Sequence, residues 1–65
     1  MNLRLKQLRE EFGYTQSYVA DYLHVKQNTY SQYENGKREL PLSALILLAK
    51  LYQMSTDYIL GLQPY

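Results

Sequence analysis

The sequence predicts an all-α protein: a compact five-helix domain around one core. Three observations lead there. Apolar residues recur at the helical period along most of the chain, strand-like alternation of β-branched residues is missing, and only two prolines and three glycines punctuate 65 residues. At this length one domain over residues 1–65 is expected, without linker, repeat or low-complexity tail, and only about 60% of the unfolded surface can be buried. Apolar residues make up 46% of the chain, enough for a small core and above the disordered range.

Each helix has its own signals. Leu5, Leu8 and Phe12 stand at i, i+3 and i+7, one apolar stripe on a helix that stops near Gly13. Thr15 is suited to cap a second helix, Tyr14 and Val19 have staple spacing, and Val19, Ala20 and Leu23 share a face. After a break at His24-Val25, Lys26 to Glu34 reads as a third helix, with Val25 and Tyr30 repeating the staple. Asn35-Gly36 closes it, since glycine tolerates the left-handed turn. Pro41 suits the first turn of a fourth helix running to about Tyr52. Met54-Ser55 opens a fifth, with Ser55 as cap, Asp57 at the positive end of the dipole and a Met54–Ile59 staple.

Composition narrows the function. There are no cysteines, which removes disulfides, thiolate metal sites and thiol nucleophiles. One histidine, His24, builds neither a catalytic relay nor a multi-histidine metal site. No nucleophile–base pair, phosphate loop or ligand cluster is visible, so an enzyme is not expected, nor a cofactor or small-molecule ligand. The N-terminal stretch mixes charge with leucine, unlike a signal peptide, and the longest uncharged apolar run, Leu40 to Ala49, is about half a bilayer span. A soluble protein of a reducing, cytoplasmic compartment is expected, with no membrane partner.

Residues 26–34, KQNTYSQYE, carry the functional signal. Wound as a helix, Gln27, Asn28, Ser31 and Gln32 fall on one face, with Tyr30 and Tyr33 roughly opposite. Exposed helix faces are usually rich in Lys and Glu; an uncharged face of Gln, Asn and Ser gives up helix propensity and gains hydrogen-bonding groups. Gln and Asn match the adenine edge in the major groove, which offers N7 and N6 side by side. Lys26, Lys37 and Arg38 bracket this face, as a division between positioning phosphate contacts and specifying base contacts requires. The net charge is only +1, but residues 1–38 hold six basic and four acidic groups and the rest one basic and two acidic, so the positive side is the right one.

The second helix, short turn and third helix form a helix-turn-helix unit of about twenty residues. With Arg9 in LREEFGY, then TQSYVADYLHV, KQNTYSQYENGK and LAKLYQMSTDYILG, the chain resembles the phage-repressor, Cro-like (XRE) class of helix-turn-helix proteins from about Leu3 to Gly61. The resemblance implies a lambda-repressor-like fold and places Gln27, Asn28 and Gln32 among base-reading positions. It matches Gln16 to a glutamine that touches a phosphate and braces the first recognition residue. Asn35, Lys37 and Arg38 match the loop that holds the DNA backbone, and Arg9 with Glu34 an internal ion pair tying helix one to the recognition helix. Two positions depart from the pattern: His24 stands where glycine is frequent, and Lys26 where Ser or Thr caps the helix, at about 1 kcal/mol.

Several residues carry two readings. His24 is a solvent-facing turn residue or a pH-sensing or metal-binding group. Lys26 is a phosphate contact or merely a poor cap. Tyr14, Tyr30, Tyr33, Tyr52 and Tyr58 fall on core faces, against a base-stacking alternative. Tyr18 and Tyr22 form an outward i, i+4 pair, self-contained or in contact with a partner. Arg9 borders the first stripe and Glu34 the aromatic face, which favours a shielded pair over two solvated charges. On helix four, Leu42, Leu45, Ile46, Ala49 and Tyr52 make one stripe; Ala44, Leu47 and Leu51 make a second, either covered by helix five or a homodimer surface. The expected function is a transcriptional regulator of bacterial, phage or plasmid origin, a repressor that binds a pseudo-palindromic operator in double-stranded DNA as a dimer. The alternative is a protein-interaction module on the same fold, an antitoxin or anti-repressor partner.

Overall fold

The computed structural model describes residues 4–62; residues 1–3, Leu3 among them, and 63–65 lie outside the described part of the expected domain. The chain runs through α1 (Leu5–Glu11), α2 (Gln16–Leu23), α3 (Gln27–Glu34), α4 (Leu42–Tyr52) and α5 (Thr56–Ile59), with no strand among the described residues. The five expected helices are present, with ends shifted by a residue or two.

Capping chemistry sets those ends. The side chains of Thr15 and Ser55 accept hydrogen bonds from the backbone N–H of Tyr18 and Tyr58, satisfying one otherwise orphaned donor each. Lys26 extends into α3 with no side-chain cap, as its chemistry dictates. Each helix is followed by a left-handed residue, Gly13, His24, Gly36, Gln53 and Gly61 in turn. In each case the next backbone N–H reaches back five residues, as in Val25 to Ala20 at 3.0 Å and Lys37 to Gln32 at 2.9 Å. His24 takes this conformation at the position where glycine is frequent in the class; Gln53, at φ 53°, gave no sequence signal.

The core comprises Leu5, Leu8, Val19, Ala20, Leu23, Tyr30, Tyr33, Ala44, Leu45, Leu48, Tyr52 and Ile59. Helix α2 packs on α3 and α4, α1 on α3, and α5 on α4. The backbone N–H of Arg4 bonds the Ile59 carbonyl at 3.0 Å, and the Arg4 guanidinium lies 4.2 Å from the centre of the half-buried Tyr58 ring, so the two ends of the described chain are tied together.

Three expectations about packing are corrected. Phe12 leaves the α1 stripe for the surface, because the helix ends at Glu11; its ring meets Tyr52 edge-on at 5.0 Å. On α4 the buried arc is Ala44, Leu45, Leu48 and Tyr52, whereas Leu42 and Ile46 are 70% and 44% exposed. Ala44, expected on a possible dimer surface, is therefore core, and Leu47 and Leu51 are half-buried against it. Contacts with α2 on one side and α5 on the other rotate the covered arc between the two stripes. Finally, Tyr18 pairs with Tyr14 at 4.6 Å, while Tyr22 is half-buried against the core.

Candidate nucleic-acid interface

The uncharged face of α3 projects as its sequence period requires. Tyr30 and Tyr33 are buried, and their rings meet edge-to-face at 6.4 Å, which anchors one side of the helix in the core. Gln27 and Asn28 are thereby left exposed on the first turn, with Ser31 and Gln32 half-exposed on the next. Neither Gln27 nor Asn28 makes a side-chain hydrogen bond to a described residue, so both keep a donor and an acceptor for a ligand.

Behind the helix-turn-helix sits a charged cluster. Arg9 Nε donates to Glu34 Oε2 at 2.7 Å, and a second guanidinium nitrogen reaches Oε1 at 3.4 Å. Another guanidinium N–H donates to the Tyr14 carbonyl at 3.0 Å. The two side chains are 14% and 3% exposed, so this is the shielded pair, linking α1 to the last residue of α3. Burial by itself would raise the Glu34 carboxyl, but the hydrogen bonds it accepts, that from Arg9 foremost, outweigh burial and hold it below the usual range. The Arg9 guanidinium is correspondingly raised by its hydrogen bond to Glu34.

Gln16, the first residue of α2, joins the cluster: its Nε2 donates to Glu34 Oε1 at 3.1 Å. A carboxylate only accepts, so the amide orientation is fixed, leaving the Gln16 oxygen and a second N–H for other partners. Two phenols flank the site. The Tyr30 and Tyr52 hydroxyls are buried and lie outside hydrogen-bonding geometry with the described residues. Burial, reinforced by the Glu34 charge, raises the Tyr30 phenol, and burial pushes Tyr52 up to about 12.

The loop after α3 holds the expected basic residues. Asn35, Lys37 and Arg38 are exposed, as is Lys26 at the other end of the helix. Asn35 Nδ2 approaches Ser31 Oγ at 3.4 Å, a marginal contact. Arg38 does more than flank the face: its Nε donates to Gln32 Oε1 at 2.8 Å. The expectation from sequence had not joined these two residues. The signal was the Asn35-Gly36 turn, which folds the following chain back onto the helix. No group of three or more potential metal-binding side chains occurs among the described residues, and no helix of the described chain is long and apolar enough to cross a membrane.

The sequence model of the helix-turn-helix family HTH_3 matches residues 5–59, from the first residue of α1 to the last of α5. The chain belongs to the Cro/XRE-type helix-turn-helix family. That family is one of DNA-binding regulators rather than enzymes. Among similar proteins of Bacillus subtilis, the transcriptional regulator ImmR is 43% identical over 58 residues, covering 89% of this chain and 46% of ImmR. The regulator AnsR is 42% identical over 62 residues, covering 94% of this chain and 53% of AnsR. The crystal structure of a transcriptional regulator from Listeria innocua superposes with a TM-score of 0.85 at 28% identity, covering 94% of this chain and 57% of that one. The chain thus spans about half the length of these relatives.

Proposed function

We propose that this domain binds double-stranded DNA sequence-specifically as part of a transcriptional repressor, with α3 in the major groove. The observation that carries the reading is the exposed, hydrogen-bond-competent Gln27–Asn28 pair on a helix anchored from behind by Tyr30 and Tyr33. Gln27, Asn28, Ser31 and Gln32 face base edges. Gln16, Lys26, Asn35, Lys37 and Arg38 hold the phosphate backbone and set the register. The relatives ImmR and AnsR are transcriptional regulators, which supports this assignment.

The domain acts in a bacterial or phage context in the cytoplasm, as a homodimer on a pseudo-palindromic operator with half-sites about 34 Å apart. The outer edges of Leu47 and Leu51 are the proposed contact; Ala44, being core, has no part in it.

Selection from randomised duplex DNA at moderate salt tests the reading. A palindromic motif is the expected result. Affinity should fall steeply with salt: three cations per protomer, Lys26, Lys37 and Arg38, give a dimer a log–log slope of about −5. Recovery of no motif, or salt-insensitive binding to a protein instead, refutes it. Sedimentation of Leu47→Glu, with circular dichroism to verify folding, tests the dimer contact; a folded variant that remains dimeric refutes that assignment.

A further inference from the structure

Gln32 differs from Gln27 and Asn28 in one respect: its amide oxygen already accepts a hydrogen bond from a cation. Arg38 Nε lies 2.8 Å from Gln32 Oε1. An arginine Nε–H only donates, so the atom facing it has to be the oxygen, and the orientation of the amide follows from chemistry rather than from a choice between alike atoms. The backbone fixes the same approach. Gly36, at φ 72°, turns the chain so that the N–H groups of Lys37 and Arg38 both reach the Gln32 carbonyl, at 2.9 and 3.3 Å. Arg38 is thereby carried back over the final turn of α3.

Gln32 then offers a ligand its whole NH₂ group, from which no described residue takes a hydrogen bond, and only the second lone pair of an oxygen that already faces a cation. The distinction matters for base reading. An adenine edge pairs an acceptor, N7, with a donor, N6, and is matched by an amide that both donates and accepts. A guanine edge presents two neighbouring acceptors, N7 and O6, and is matched by a group that only donates. The positive guanidinium on the Gln32 oxygen weakens it as an acceptor and repels the adenine N6–H donor, while it favours the two acceptors of guanine. The remaining N–H groups of the guanidinium can meanwhile hold a phosphate, which would keep Arg38 in place as DNA docks.

We propose that Arg38 is a specificity-determining positioning residue: by holding its positive charge on the Gln32 oxygen it turns Gln32 toward reading guanine, where the isolated residue type suggests adenine. The inference rests on the DNA-binding reading above.

The test is selection from randomised duplexes with the wild-type chain, Gln32→Ala and Arg38→Met. Gln32→Ala identifies the base pair that Gln32 reads, as the one that loses its preference; that pair should be G·C in the wild-type motif. Arg38→Met should shift this pair alone toward A·T, by roughly tenfold, the scale of one good base contact. It should also weaken binding to all duplexes through the lost charge. Arg38 is exposed, and circular dichroism verifies that the variant folds. The inference is overturned if the Gln32-dependent pair is A·T in the wild type, if Arg38→Met weakens binding with preferences unchanged, or if Gln32→Ala alters no pair of an intact motif. Failure of the wild type to yield any motif refutes DNA binding itself, and the inference with it.

Discussion

Replacing Glu34 with alanine tests the charged cluster that joins α1, α2 and α3. The carboxylate accepts from Arg9 at 2.7 and 3.4 Å and from Gln16 at 3.1 Å. Only the first of the two Arg9 contacts is short enough to contribute fully. With the side chains 14% and 3% exposed, the value for solvated surface pairs, below about 1 kcal/mol, does not apply. Removing one partner of a buried pair costs about 3–5 kcal/mol, because the surviving charge keeps its desolvation penalty. Arg9 retains the Tyr14 carbonyl and some access to water, which places Glu34→Ala near the lower end, about 3 kcal/mol. For a domain this small that is a large share of the total stability, and it should lower Tm by roughly 12–24 °C. The assay is urea unfolding followed by circular dichroism at pH 7, run as a double-mutant cycle with Arg9→Met. The joint Arg9→Met/Glu34→Ala variant should lose less than the sum of the two singles, since neither charge is then stranded. Single losses below about 1 kcal/mol that simply add would show the pair to be solvated and the reasoning wrong.

Four further outcomes follow from the same geometry. Since Glu34 is held below its ordinary value of 4.5, its stabilising contribution is complete above that pH and drains away as pH falls through the lower folded value; acid titration should therefore destabilise the wild type more steeply than Glu34→Gln. Tyr52→Phe removes a buried hydroxyl without a partner and should change stability by less than about 1 kcal/mol at pH 7; the wild-type phenol, raised to about 12, contributes stability below pH 10 that is lost as pH rises toward the folded value, and the variant should show a shallower alkaline loss in urea melts, with Tyr30 keeping its own. His24→Gly relieves the left-handed conformation at φ 61° on an exposed side chain and should raise stability by about 0.5–1 kcal/mol, with destabilisation pointing to an unrecognised contact of the imidazole. In operator titrations Gln27→Ala should cost about 1–3 kcal/mol on the selected site and almost nothing on random duplex; an equal loss on both would remove it from base readout.

The sequence by itself determined the number and order of helices, because each is written locally: a capping side chain at Thr15 or Ser55, a glycine at 13 or 36, and an apolar period between. The same local period assigned Tyr30 and Tyr33 inward and Gln27 and Asn28 outward, since a short helix with two adjacent aromatic positions has one face to bury. The resemblance pointed to the Arg9–Glu34 pair and the placement of both residues beside apolar faces to its shielding; the structure supplied its geometry. Helix α4 is apolar over too much of its circumference for periodicity to choose a face. Which of Leu42, Ala44, Ile46 and Leu48 enters the core was decided by where α2 and α5 dock, a non-local matter. The tertiary structure likewise decided that Gln16 turns its amide to Glu34 and that Arg38 claims the oxygen of Gln32. A sequence names donors and acceptors, but which of them meet depends on the turns and packing that bring distant backbone into hydrogen-bonding range.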